Sequence, residues 1–400
     1  MPLIVKPLLA AYGGYTIARD DKVVLVKGAI PGEVVDVTIQ EKKRDYTLAT
    51  VSQVVEPSEH RVKPKCPVFG VCGGCHLQYV SYNRQLSMKE EVLLDSLQRL
   101  GKLDVQLGPS LSDASWNYRH RAQFKVSKEG VVGFFRESSR DIVAVESCPL
   151  MKEEINSLLQ RIKEQGLASG LKEIHLSVGD TAVALLKGDG VGEDVSEHMR
   201  DIGVASIACN EALTEGSGYA AFDLMGLKYT VSPWTFFQSH WTLNRKVAER
   251  IVQLAGPWEG KTVLDLYAGA GNFSLPVAGQ AQEIVLVEEN PHAIEDGTRN
   301  LKLNSIKNCR FMKSSAEKYK IPKHFNVLIL DPPRPGLSAE ASKKVLESVP
   351  DKIVYISCNP STLARDLKKF KEAYDITSVQ MIDFFPHTFH IEAVVVMQVR

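Results

Sequence analysis

The stretch VLDLYAGAGNF, residues 263–273, decides the fold. An apolar run reads as a strand and stops at Gly269 and Gly271, where missing side chains let the backbone approach a nucleotide-like ligand. A dinucleotide fingerprint would carry a third glycine, but Ser274 takes that place. The next apolar run, IVLVEE (284–289), brings Glu288 to a strand end 17 residues after Gly271, where its carboxylate can accept hydrogen bonds from ribose hydroxyls. Together these features favour S-adenosylmethionine over NAD.

The same rhythm continues on either side. KTVLDLYAG (261–269), EIVLVEE (283–289), CRFMKSS (309–315), FNVLILDPP (325–333) and KIVYISCNP (352–360) are followed by SVQMIDFFP (378–386) and IEAVVVMQV (391–399). Apolar strands alternating with helical segments predict an α/β fold, a parallel sheet covered on both faces with ligands at the carboxyl ends of its strands. Cys358 sits at such an end, where its apolar run gives way to a polar turn. A structural cysteine more often lies inside the run. Asp331 ends another strand and is followed by Pro332 and Pro333, which stiffen the backbone and leave few amide donors. Asp331 reads as a ligand-facing carboxylate or as a turn cap. Neither the Asn-Pro-Pro-aromatic sequence of adenine-modifying methyltransferases nor the Pro-Cys of RNA cytosine-5 enzymes is present.

Four hundred residues with 44% hydrophobic and 24% charged composition suit two or three soluble domains. We expect a β-barrel of OB type over 1–58, a central α+β unit over 59–232 and the α/β unit over 233–400. The N-terminal MPLIVKPLLAAYGGYT is interrupted by Lys6, Pro7 and Gly13 before any apolar stretch long enough for a membrane span, so a cytoplasmic location and no membrane partner are expected. With 48 basic against 48 acidic residues, an RNA site must be a local patch. One candidate is WNYRHRAQFKVSKEG (116–130), where Arg119, His120, Arg121, Lys125 and Lys128 interleave with Trp116, Tyr118 and Phe124. Cations beside aromatics suit a single-stranded RNA path that Arg136 and Arg140 would extend; a strand with solvated charges is the alternative.

Seven cysteines in a reducing compartment read as ligands or catalytic groups before disulfides. Cys66, Cys72 and Cys75 have the spacing C-x5-C-x2-C, and Cys148 can supply a fourth thiolate. Spacing alone suits an iron–sulfur cluster or zinc equally.

Seven segments in order, CPVFGVCGGCHLQ (66–78), YRHRAQF (118–124), FFQ (236–238), DLYAGAGNFSLP (265–276), DPPRPG (331–336), SCNPSTLARDL (357–367) and FPHTFHIE (385–392), resemble the RNA uracil-5-methyltransferases, which make 5-methyluridine. The resemblance implies a C-terminal Rossmann-like S-adenosylmethionine methyltransferase domain. It also implies that the N-terminal β-unit is a TRAM domain, as in the subgroup acting mainly on 23S ribosomal RNA. By position, Gln238, Tyr267, Asn272, Glu288 and Asp331 would contact S-adenosylmethionine beside Gly269 and Gly271, Cys358 would be the nucleophile and Glu392 would take a proton. It favours a [4Fe-4S] cluster on Cys66, Cys72, Cys75 and Cys148. One departure is His240, where the family often has asparagine.

Such chemistry explains a presented cysteine. Uracil C5 is too poor a nucleophile to take a methyl group unaided, and a thiolate adding at C6 makes the ring an enolate with electron density on C5. A cysteine of ordinary pKa is only a few per cent thiolate at neutral pH, so an activating environment is expected. The target uridine must leave its stack, and Phe384, Phe385 or Phe389 would either stack it or pack the core. His387 and His390 would stand behind the reacting groups or in a turn. Two other readings are an RNA-binding assembly factor with a vestigial methyltransferase domain and an enzyme with a different acceptor; the presence of both Cys358 and Glu392 disfavours the former.

Overall fold

The computed structural model describes residues 3–189, 191, 193–323 and 325–400. Its C-terminal part is built on a seven-stranded sheet in the order Cys309–Lys313, Glu283–Glu288, Thr262–Leu266, Val327–Leu330, Lys352–Ser357, Glu392–Val399, Tyr374–Ile382. The first five strands pair in parallel. Successive side chains of a strand face opposite sides, so each apolar run feeds two cores. Val263, Ile284, Ile329 and Val354 enter one, with helices Trp241–Ala255 and Pro291–Leu303 over them. Leu264, Val285, Leu328 and Tyr355 enter the other, under helices Ala339–Ser348 and Pro360–Phe370. Each fully buried aliphatic side chain contributes about 1.5–3 kcal/mol, which is why the runs are apolar throughout rather than alternating.

The sequence pattern predicts a parallel sheet, but the sheet is mixed. Glu392–Val399 runs against Lys352–Ser357 on one side and Tyr374–Ile382 on the other. Only residues 383–391 join it to the preceding strand, and a parallel crossover needs about a dozen residues or more. A short connection therefore makes a hairpin, and Glu392, the first residue of the reversed strand, arrives at the carboxyl ends of the parallel strands.

Residues from earlier in the chain complete these cores. Val92 and Leu93 of helix Tyr82–Asp95 enter the second, and the hairpin Ala220–Leu224 with Leu227–Val231 enters the first through Phe222, Leu224 and Tyr229. The remainder of the described chain forms a six-stranded N-terminal sheet around Val24, Val26, Val35 and Val37, and a seven-stranded central sheet covered by helices Glu153–Glu164 and Glu193–Asp201. Among the described residues no helix is long and apolar enough to cross a membrane.

Candidate active site

At the carboxyl ends of the parallel strands lies a cavity of about 610 Å³. Gln238, Tyr267, Gly269, Asn272, Glu288, Asp331, Cys358 and Glu392 line it, so segments up to about 150 residues apart meet at one place. Gly271 does not line it. Its φ of +90° turns the chain, and a Cβ there would stand 2.7 Å from Leu275 Cγ, so glycine is required for the turn to pack. Tyr267 also takes a left-handed backbone, φ +66°, a strain that non-glycine residues keep where the surroundings impose it. The Glu288 carboxylate is fixed by backbone amides: Gly269 N–H donates to Oε2 at 2.9 Å, and Glu289 and Asn290 N–H donate to Oε1 at 3.0 and 2.8 Å.

Two polar groups contrast in how they are satisfied. The Asn272 amide makes a reciprocal pair with that of Asn244 at 2.7 and 2.8 Å, which ties the glycine turn to helix Trp241–Ala255. Gln238, 7% exposed, keeps its Oε1 buried with no hydrogen-bond partner. A buried acceptor left unpaired costs about 1–3 kcal/mol, and in a cavity wall it suits a donor group of a ligand.

Ser357 and Ala393 are the last pair of the antiparallel ladder, and the residues beyond them at the strand ends, Cys358 and Glu392, both line the cavity. Burial raises the Glu392 carboxyl well above the ordinary range, and Asp331 raises it further. Burial likewise lifts Asp331 to about 7, and lifts Asp265, inside strand Thr262–Leu266 and also lining the cavity, to about 8. Asp265 is a site residue that the motif reading passed over. Its signal is a carboxylate within an apolar strand.

The activation expected of Cys358 is not found with protein groups alone. Burial raises its thiol to about 11, with Glu392 and Asp331 adding to the rise and Arg334 opposing it. The thiol stands in a cluster of carboxyls, and negative neighbours disfavour a thiolate. A cavity rich in carboxyls around a thiol is suited to a cationic ligand, which would lower all of these values together.

The loops that carry these groups are anchored from behind. Asp366 Oδ2 accepts from Leu337 N–H at 2.8 Å and Tyr355 O–H at 2.9 Å, and Arg365 donates to Pro335 O and Leu337 O, so the LARDL segment clamps the DPPRPG loop. The Asn359 side chain caps helix Pro360–Phe370 immediately after Cys358. In the FPHTFHIE loop, His387 is stacked on Trp116 at 3.8 Å, and Gln85 binds both its backbone N–H and its Nδ1. His390 Nδ1 contacts Arg334 at 3.3 Å. Phe384 is a core side chain, whereas Phe389 is half-buried between Tyr12 and His76.

The sequence profile described as tRNA (Uracil-5-)-methyltransferase matches residues 321–400, which carry Asp331, Cys358 and Glu392, and the profile Methyltransferase small domain matches 248–349. The chain is 36% identical to an uncharacterized RNA methyltransferase of Aquifex aeolicus, over 97% of this chain and 96% of that one. It is 33% identical to the 23S rRNA (uracil(1939)-C(5))-methyltransferase RlmD of Methylococcus capsulatus, over 99% of this chain and 98% of that one. The chain belongs to the RNA uracil-5-methyltransferase family. A crystal structure of the Pyrococcus abyssi tRNA (uracil-54, C5)-methyltransferase with S-adenosyl-L-homocysteine superposes with a TM-score of 0.78 at 25% identity, covering 99% of this chain and all of that one. The protein is an S-adenosylmethionine-dependent RNA uracil-5-methyltransferase with a Rossmann-like catalytic sheet.

Membership gives the remaining features their context. His240, the departure from the family's asparagine, is fully buried and caps helix Trp241–Ala255, its Nδ1 accepting from Leu243 N–H at 3.4 Å while Nε2 faces Ala114 O at 3.0 Å. Asparagine is also a strong cap, so the exchange preserves the helix start. The YRHRAQF segment does not form the open path its alternation suggests. Tyr118 and Phe124 are buried, and Arg121 turns inward to donate to Thr235 O at 2.8 Å and Pro233 O at 3.1 Å, fixing the loop that carries Phe236, Phe237 and Gln238. Lys125 pairs with Glu173, and Trp116 lies under Lys65 at 4.8 Å. Lys128, Arg136 and Arg140 stay exposed, as does Phe236 at 69%. Pattern alone could not separate an inward from an outward cation on this strand.

Cys66, Cys72, Cys75 and Cys148 line a second cavity, of about 440 Å³, on the other side of Phe236 and Phe237. Among the described residues no group of three or more His, Cys, Asp or Glu is arranged to hold a metal ion. The four thiols share the wall of this one cavity. Gln78, in its wall, has a buried Nε2 without a partner, and Arg119, also in the wall, a buried Nε without one.

Proposed function

We propose that this enzyme methylates C5 of a uridine in 23S ribosomal RNA through a covalent bond between Cys358 Sγ and uracil C6. The observation that carries the reading is the reversed strand, which brings Glu392 beside Cys358 on the cavity that also holds Gln238, Glu288 and Asp331. The Cys358 thiolate adds to C6, the electron pair of C5 takes the methyl group of S-adenosylmethionine, and S-adenosylhomocysteine departs. Glu392 then removes the C5 proton, the C6–S bond breaks and the thiolate leaves with the base restored. The sulfonium of S-adenosylmethionine would add to Arg334 a second positive charge in this carboxyl-rich cavity, favouring both the Cys358 thiolate and an ionised Glu392. Gln238 Oε1 would accept from the cofactor, Glu288 would hold its ribose, and Tyr267, Asn272 and Asp331 would wall it. Ribosomal RNA is favoured because relatives named for 23S uracil methylation align end to end. The test is to map 5-methyluridine in 23S and transfer RNA from a deletion strain. Loss at one 23S position upholds the assignment, and loss confined to transfer RNA overturns the substrate.

The chain reads as three units, residues 1–58, 59–232 and 233–400, the first a TRAM-type β-unit for RNA. We assign the four cysteines to a [4Fe-4S] cluster because all four line one cavity and unpaired donors on Gln78 and Arg119 in its wall suit sulfur acceptors. A bound cluster would supply rigidity where the loops of Cys66–Cys75 meet Cys148, since methyl transfer is redox-neutral. Protein purified without oxygen is expected to be brown and to contain iron and acid-labile sulfide in equal amounts. Zinc alone in that preparation would overturn the cluster.

A further inference from the structure

The N-terminal sheet sends one hairpin tip to the catalytic pair. Leu9–Ala11 and Tyr15–Arg19 pair antiparallel, Ala11 opposite Tyr15, so Tyr12, Gly13 and Gly14 form the tip. Gly13 and Gly14 have φ of +92° and +79°, a turn that side chains rarely permit, and a Cβ on Gly14 would lie 3.5 Å from Phe389 Cβ and 3.6 Å from His76 Cβ. The tip is therefore seated against the FPHTFHIE loop. The Tyr12 ring meets Phe389 edge-on at 5.8 Å and packs against the second core of the catalytic sheet. Phe389 in turn lies 4.5 Å from the His390 ring, and His390 Nδ1 contacts Arg334 at 3.3 Å, so the tip sits beside the loop and the guanidinium at the mouth of the cavity that Cys358 and Glu392 line. Burial raises the phenol above its ordinary pKa, so the group is a neutral donor.

We propose that the Tyr12 hydroxyl, together with the Arg334 guanidinium, holds the phosphate of the extruded uridine, so that the N-terminal unit completes the active site. This rests on reading Cys358 as the site of attack on uracil C6. C6 is bonded to N1, the atom that carries the ribose, so groups close to Cys358 stand on the side of the base that carries the sugar and phosphate. Tyr12 does not line the cofactor cavity, whereas Arg334, exposed at its mouth, does. A guanidinium and a phenol are both donors, and a phosphodiester is the acceptor that suits the pair. Because the contact forms only once the nucleotide has left its stack, it adds to the extruded state and little to overall RNA affinity.

The test uses the full-length enzyme and a 23S ribosomal RNA transcript made with 5-fluorouridine. Fluorine on C5 cannot be removed as a proton, so the Cys358 adduct accumulates after methyl transfer. Tyr12→Phe is expected to keep wild-type melting temperature and S-adenosylmethionine affinity, to bind the RNA within about twofold, and to form adduct at saturating RNA about tenfold or more slowly. Phenylalanine restores the packing, so a purely structural tyrosine would be rescued. Wild-type adduct rates in Tyr12→Phe overturn the proposal, as does a slower rate accompanied by lost stability or cofactor affinity. Absence of adduct in the wild type would instead overturn the uridine reading on which it rests.

Discussion

Cys358→Ala is expected to bind S-adenosylmethionine and to form no covalent adduct with RNA, while Glu392→Gln is expected to remain trapped on RNA whose base is already methylated. The two side chains line one cavity, and in the proposed mechanism they act on opposite sides of methyl transfer. Without the thiol nothing adds to C6, C5 stays a poor nucleophile, and turnover should fall by more than about 10⁴-fold. Glutamine fills the same buried position but cannot accept the C5 proton, so addition and methylation proceed while elimination slows by about 10²–10⁴-fold. Denaturing gels and intact mass separate the outcomes. An adduct that persists in Cys358→Ala, or normal turnover by Glu392→Gln, would assign the chemistry to other residues.

Breaking the ion pair between Lys89 and Asp383 should have the largest effect on stability. Lys89 Nζ donates to Asp383 Oδ1 at 2.6 Å and to Phe385 O at 3.0 Å, with the lysine 2% and the aspartate 0% exposed. Burial pushes the Lys89 amine below its ordinary pKa and Asp383 pulls it back. The pair joins helix Tyr82–Asp95 to the start of the loop that ends at Glu392. Lys89→Ala leaves a buried carboxylate without its cation, and unfolding free energy should fall by about 3–5 kcal/mol, read from the denaturant midpoint. Activity should fall as well, because residues 383–391 set the position of Glu392. The double variant Lys89→Met, Asp383→Leu removes both charges and is expected to recover most of the stability, since a buried pair is often replaceable by apolar groups. A single variant within about 1 kcal/mol of wild type would mean that water reaches the pair.

Cysteine position and cysteine reactivity are separate matters in this fold. A strand that ends in Ser-Cys-Asn-Pro presents the thiol at the mouth of the sheet, yet burial, with the carboxyls gathered there adding to it, raises it to about 11. The same carboxyls make the cavity receptive to a cation. In the proposed mechanism reactivity therefore waits for the cofactor, because a thiolate before the methyl donor arrives is disfavoured.

Local chemistry written in the sequence determined the strands, the glycine turn and the residue types of the site. The apolar runs Thr262–Leu266, Val327–Leu330 and Lys352–Ser357 show water almost no polar face and read as interior strands, whereas the partly exposed Cys309–Lys313 lies at the sheet edge, and Gly271 fits a turn that a Cβ would block. What the sequence did not contain is the outcome of long-range packing. The direction of Glu392–Val399 depends on a connection too short to cross the sheet, and that reversal alone brings Glu392 to Cys358. Arg121 looks like an RNA-facing cation on its strand, but the Pro233–Thr235 carbonyls lie more than 100 residues away and claim it. Tyr12 and Lys89 are ordinary in their own segments and gain their meaning from what they touch hundreds of residues later. Periodicity and turn chemistry act over a few residues, whereas charge burial and strand order are settled by every element that packs against them.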